Sequence, residues 1–345
     1  MPSCETKNLE QDASAEMNDL WKRIAAFVRR LAARRAPPQP GRFSLRQKSS
    51  LHGLIGVAAA PPWREYLLYV PRGMERLARP PLVVWIHGCR QDPEDFAAGT
   101  RIARYADERG FAVLLPRQNR LANPERCWNW FDRRTARGLG EAAIVASQVA
   151  DVVGKLGIDA KRVYLAGLSS GGALAATLAL HAPTLFRAVA IHSGVPCGVA
   201  NDAADAARVM AAGPRGGADE AAMHARTAAH GQARVPALIV HGAADETVAP
   251  VNAVHLVRQF LIFNGFDAAA LPKGAALPRP GMLPLGFRSR EKLDGEYYVG
   301  RRLGARLMMV PGLGHAWSGG DATRAFFDGG HLEATRLICD FFAAH

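Results

Sequence analysis

Three side chains, Ser169, Asp245 and His315, have the types and the chain order needed for nucleophilic acyl transfer. Ser169 is the centre of Gly167-Leu168-Ser169-Ser170-Gly171, a G-x-S-x-G pattern between the apolar run 163–166 and a stretch rich in Ala and Leu. Strand, sharp turn and helix in that succession make a nucleophile elbow. The glycines are needed because the turn is too tight for a Cβ on either flank, and the serine must project from a strained backbone. A serine hydroxyl is a poor nucleophile until a base takes its proton, so an imidazole oriented by a carboxylate should follow. Asp245 comes just after the apolar run 237–241, and His315 lies in the glycine-rich loop 311–317, behind the run 306–310. The chain has 11 histidines. His87, His192 and His241 also end apolar runs, but only His315 joins a position after the last run to a loop able to bend over the serine. Among the acids, Asp202, Asp205, Asp219 and Asp321 fall on surface-like segments, whereas Asp245 follows a buried run in the right order.

Acyl transfer also needs donors aimed at the developing oxyanion, each worth roughly 3–4 kcal/mol when removed. The expected donors are the backbone N–H of Ser170, at the start of the helix after the elbow, and that of Cys89, in the loop after the run 82–87. Trp128, Trp130, Phe131 and Trp317 lie on loops expected beside the nucleophile. Trp317 foremost, then Trp128 and Trp130, are expected to bind apolar acyl chains or flat polymer units. The five cysteines, Cys4, Cys89, Cys127, Cys197 and Cys339, lack zinc-ligand spacing, and no metal site is expected. Cys89 and Cys127 both fall in loops around the expected site, where a bridge and a pair of reduced thiols stand as equal alternatives.

The elements that must position these groups read as short apolar runs alternating with longer helical patterns, the mark of a mostly parallel sheet covered on both faces. Strands are expected at 66–70, 82–87, 111–116, 162–168, 188–193, 237–241 and 306–310, several of them wholly apolar as doubly buried strands should be. Helices are expected at 95–108, 141–156, 170–181, 250–264 and 322–344. Segments 197–234 and 265–305 fit neither period and are expected as insertions above the carboxyl ends of the strands, shaping a substrate pocket. Residues 14–35 read as an amphipathic basic helix, followed to residue 62 by a Pro/Gly-rich linker, so a catalytic domain is expected over 63–345 and an appendage over 1–62.

A length of 345 residues, 49% hydrophobic, fits one large α/β domain with modest attachments. The formal charge of +12 is spread as scattered Arg plus a basic arm, with ten Lys or Arg against five Asp or Glu in residues 1–50. No nucleic-acid motif accompanies it, and nucleic acid is not expected as a partner. Helix 14–35 is expected either to pack on the catalytic domain or a second subunit or to dock on an anionic membrane or polymer granule. The start of the chain lacks a basic, apolar and small-residue series, so no secretory signal is expected and the cytoplasm is favoured.

The joint run of WIHGCRQDP at 85–93, NPERCWNWF at 123–131, AGLSSGG at 166–172, IHSG at 191–194, DETVAPVN at 245–252 and GHAWSGG at 314–320 resembles the polyhydroxybutyrate depolymerase family of esterases. The resemblance implies an α/β-hydrolase fold, no metal or organic cofactor, and the same Ser169, Asp245, His315 triad. It also implies an ester substrate: polyhydroxyalkanoate or 3-hydroxybutyrate oligomers or similar short-chain esters, with feruloyl or acetylxylan esters of polysaccharides as the alternative. Extracellular depolymerases of this kind usually carry a signal peptide and a separate substrate-binding domain; this chain shows neither, and efficient attack on crystalline polymer is not expected of it.

Overall fold

Alternation of apolar side chains along the strands dictates two cores, one on each face of a single sheet. In the computed structural model, which describes residues 40–49, 63–277, 288–291 and 294–345, the sheet strands are β1 (Arg42–Ser49), β2 (Trp63–Val70), β3 (Leu82–Ile86), β4 (Ala112–Pro116), β5 (Val163–Leu168), β6 (Ala188–His192), β7 (Ala237–Gly242), β8 (Arg288–Glu291), β9 (Asp294–Val299) and β10 (Arg302–Val310). Their order in space is β1-β2-β4-β3-β5-β6-β7-β10-β9-β8. The six central strands, β4 to β10, run parallel, and antiparallel pairs close both edges. Along β3, Leu82, Val84 and Ile86 enter one core and Val83 and Trp85 the other. On β7, Ala237 and Ile239 oppose Leu238 and Val240 in the same way.

The first core is covered by α3 (Gly140–Leu156), α4 (Ser170–His181) and α7 (Val251–Phe263), and the second by α1 (Pro93–Thr100), α2 (Ile102–Arg109) and α8 (Ala334–Ala343), with α5 (Ala203–Ala212) and α6 (Ala218–Ala228) between β6 and β7. α1 starts where the Asp92 carboxylate accepts the Asp95 N–H at 2.9 Å, with Pro93 in the first turn. The expected single helix 95–108 is two, because Arg101 adopts a left-handed conformation at φ 56°. The expected helix 322–344 is confined to α8; Gly329 and Gly330, poor helix formers, precede it. Among the described residues, no helix is long and apolar enough to cross a membrane.

Two expectations about the periphery change. The segment read as linker contains β1, which pairs along its whole length with β2, from Arg42 opposite Val70 to Ser49 opposite Trp63. Its polar composition suits an edge strand with one open side, which hides it from a search for apolar runs. The domain therefore includes residues N-terminal to Trp63. In the described part of segment 265–305, β8, β9 and the start of β10 do not lie above the strands but extend the sheet sideways in its plane. Segment 197–234 forms α5 and α6, and Met210 of α5 reaches the cleft at Ser169. The amphipathic pattern at 14–35 lies outside the described residues.

Candidate active site

Ser169 sits where β5 turns into α4, at φ 55° and ψ −120°, a conformation that a non-glycine residue holds only when its surroundings force it. The neighbours supply that force. A Cβ on Gly167 would lie 2.3 Å from the Gly171 carbonyl oxygen, and one on Gly171 would lie 2.4 Å from the carbonyl oxygens of both Ile86 and His87. The two glycines thus let the elbow close and α4 press against the end of β3. The Ser169 amide donates to the His192 carbonyl at 2.9 Å, which anchors the turn to β6.

The other two predicted residues arrive on the loops after β7 and β10. His315 Nε2 is 2.9 Å from Ser169 Oγ, and His315 Nδ1 is 2.8 Å from Asp245 Oδ2. Asp245 is buried, and its Oδ1 accepts the N–H groups of Thr247 at 3.0 Å and Val248 at 2.8 Å. Burial opposes its charge, but the hydrogen bond and charge of His315 together with the Val248 N–H outweigh it and hold the carboxyl below the usual carboxylate range. A carboxylate on Nδ1 fixes the tautomer: Nδ1–H donates to Asp245, leaving the Nε2 lone pair to receive the serine proton. Backbone bonds from Ala243 to Val310 and from Ala244 to Leu313 hold the acid loop and the histidine loop together.

Cys89 and Cys127 form a disulfide that joins the loop after β3 to the loop after β4. On either side of Cys89, the Gly88 amide donates to Gln91 Oε1 at 2.9 Å and the Arg90 amide to the Glu125 carbonyl at 2.7 Å. Between them the Cys89 amide has no acceptor among the described residues. The Ser170 amide belongs to the first turn of α4, where N–H groups have no intrahelical acceptor. The rival histidines are structural. Burial pushes His87 down to about 4 and His192 down to about 3, and it lowers His241 as well. His87 Nδ1 donates to the Gly88 carbonyl and its Nε2 accepts the Gln118 N–H; His192 Nε2 accepts the Ser318 N–H.

A cleft of about 350 Å³ opens at Ser169 and His315, walled by Leu168, Met210, Phe326, Thr247 and the disulfide, with the Arg90–Glu125 ion pair at its rim. The tryptophans expected to line it do not. Trp317 is 0% exposed, its Nε1 donates to Thr335 Oγ1 at 3.1 Å, and its ring packs on Trp85, Phe96 and His192. Trp128 is 2% exposed and donates from Nε1 to the His87 carbonyl at 3.0 Å; Trp130, at 6%, packs in an apolar cluster with Val195, Val199 and Val248. A place on a loop near the serine does not set which way a ring points, and here all three rings turn inward. Met210 and Phe326, which carry no chemical motif, take the wall instead. The only advance sign for Met210 was its place in a segment expected to shape the pocket; Phe326, at φ 69°, gave none.

Comparison with known proteins gives the family and the fold. The model of the family described as "Esterase PHB depolymerase" matches residues 64–281. Poly(3-hydroxyalkanoate) depolymerase C of Paucimonas lemoignei is 32% identical over 204 residues, which are 58% of this chain and 48% of the depolymerase, so the chain spans about half the length of that relative. Feruloyl esterase B of Thermothelomyces thermophilus is 30% identical over 242 residues, covering 68% of this chain and 81% of that enzyme. Among solved structures, an acetyl xylan esterase from Aspergillus awamori superposes with a TM-score of 0.62 at 21% identity over 79% of this chain and 94% of its own, a likeness of fold. With an α/β-hydrolase sheet, a serine at its elbow and a family model matching more than half its length, the chain belongs to the PHB depolymerase family of esterases.

Proposed function

We propose that the protein is a serine carboxylic ester hydrolase that works through an acyl-enzyme, with 3-hydroxyalkanoate oligomers or similar short-chain esters as substrates. The observation that carries this reading is the unbroken relay from Asp245 through His315 to Ser169, at 2.8 and 2.9 Å, opening on a cleft with largely apolar walls. Ser169 Oγ attacks the ester carbonyl while His315 Nε2 takes its proton, and Asp245 stabilises the imidazolium. The amides of Cys89 and Ser170 receive the oxyanion. Collapse expels the alcohol, protonated by His315; a water deprotonated by the same imidazole then releases the acid.

Leu168, Met210 and Phe326 suit a flexible aliphatic acyl chain, since a flat aromatic acid would find only one ring to stack on. A second reading, a polysaccharide side-chain esterase, draws support from the greater share of feruloyl esterase B that the chain covers. The Cys89–Cys127 bridge favours an oxidising compartment over the cytoplasm expected from the sequence. The basic, amphipathic sequence of segment 14–35 would add reversible attachment to a granule or anionic surface.

Ser169→Ala is expected to abolish hydrolysis of p-nitrophenyl butyrate while the protein keeps its fold by circular dichroism; activity near that of the unaltered enzyme would reject the mechanism. Hydroxybutyrate oligomers, methyl ferulate and acetylated xylan, compared with product mass spectrometry, decide between the two substrate classes.

A further inference from the structure

Glu141, in the first turn of α3, is a buried carboxylate with no place in the relay, 7% exposed and not part of the cleft wall. Both of its oxygens accept hydrogen bonds. Oε1 accepts Gln118 Nε2 at 2.6 Å and Asn129 Nδ2 at 2.8 Å, while Oε2 accepts the Asn129 backbone N–H at 2.7 Å. Gln118 Nε2 also donates to the Cys127 carbonyl at 2.8 Å. All these donors belong to the loop after β4, so one side chain ties the start of that loop, at Gln118, to its middle, at Asn129.

The same loop holds the oxyanion donors from behind. Cys127 is bonded to Cys89; the Trp128 indole donates to the His87 carbonyl, at the start of the donor loop; and the Trp128 backbone N–H lies 3.3 Å from Ser170 Oγ, which is itself 3.4 Å from Cys89 Sγ. Burial raises the Glu141 carboxyl above its ordinary value, against the opposing hydrogen bonds of Gln118 and Asn129, so the fold holds this acid at an energetic disadvantage.

We propose that Glu141 is a positioning residue for the oxyanion hole, setting the Cys89 and Ser170 amides by clamping the loop that carries Cys127, Trp128 and Asn129. The inference rests on the reading of those amides as oxyanion donors. A donor displaced by a fraction of an ångström stabilises the transition state less while leaving ground-state binding in the cleft nearly unchanged.

Glu141→Gln is the informative change. It keeps the volume and one acceptor but turns an amide N–H toward either the Asn129 N–H or the pair of side-chain donors. With p-nitrophenyl butyrate, kcat should fall about 10- to 100-fold while KM stays within about threefold. Affinity for an alkyl trifluoromethyl ketone, whose hemiketal oxyanion needs the same donors, should fall in parallel with kcat. A purely structural role would lower the melting temperature and leave kcat and ketone affinity of the folded protein unchanged, and that result overturns the proposal. If Glu141→Gln does not fold, Asn129→Ala removes one bond to Glu141, together with the side-chain bonds of Asn129 to Ala122 and Asn123 in the same loop, and should show the same split; unchanged kcat and ketone affinity in that variant overturn the proposal equally. Mass spectrometry after a serine-directed fluorophosphonate keeps the two levels apart. Unaltered protein that takes no label at Ser169 refutes the esterase reading itself, whereas normal labelling with an insensitive Glu141→Gln refutes the clamp alone.

Discussion

Cutting the Cys89–Cys127 bridge by Cys127→Ser removes the tether on the donor loop but leaves the Cys89 amide itself in place. The bridge closes a loop with a sequence separation of 38, so chain entropy sets the loss of stability at up to about 4 kcal/mol. With roughly 2 cal/mol/K of unfolding entropy per residue over residues 63–345, that is a fall of about 7 °C in melting temperature. The catalytic effect should exceed what this loss alone implies at assay temperature, because the folded protein retains the triad and loses only the alignment of one donor. We expect kcat to drop about 10- to 100-fold with KM little changed. Intact mass with and without reductant establishes the bridge first, by a gain of two hydrogens on reduction; calorimetry and steady-state kinetics follow on the same sample. Cys197 and Cys339 are free and buried and leave that reading clear among the described residues. A mass unaffected by reductant, or a Cys127→Ser protein with full kcat, would refute the reasoning.

Acid should destabilise the protein through its buried neutral histidines. The folded-state values of His87, about 4, and His192, about 3, lie below the ordinary 6.5, so as pH falls below about 6.5 the unfolded chain takes up protons that the native state refuses. At about 1.4 kcal/mol per pH unit, each removes roughly 2–3 kcal/mol by pH 4.5, with buried Glu141 acting in the opposite sense. The urea midpoint should fall between pH 7 and 5, and His87→Gln should flatten that slope; an identical slope in the variant would contradict the assignment. Gly171→Ala places a Cβ 2.4 Å from two backbone oxygens at the end of β3, and should lower stability by roughly 1–3 kcal/mol and reduce kcat as well, measured by urea unfolding and ester hydrolysis. A chain shortened to begin at residue 40, keeping β1, should retain hydrolysis of soluble esters and lose sedimentation with polyester granules or anionic liposomes. Equal sedimentation of the two chains counts against docking by segment 14–35.

The meeting of Ser169, Asp245 and His315 was legible in the sequence because each member rests on local rules. The elbow is a steric statement about five consecutive residues, from Gly167 to Gly171, and the acid and base follow recognisable buried strands in an order that a parallel sheet converts into proximity. The apolar runs of β3 to β7 announced a doubly covered sheet for the same reason: a strand buried on both faces has no polar side to show. Other features depended on groups distant in the chain. β1, with no apolar signature of its own, is recognisable only once β2 is there to pair with it. Trp317 stands two residues from His315, and Trp128 and Trp130 lie on a loop expected beside the nucleophile, but their rings fill whichever space Thr335, the His87 carbonyl and the Val195 cluster leave open. Met210 and Phe326 became cleft walls through the placing of loops around them. Glu141 acquired its partners only when the loop after β4 folded back onto α3. Short-range sterics and hydrophobic period are written residue by residue, whereas the direction of a side chain and the identity of its partners are properties of the assembled packing, which alone decides what fills each space.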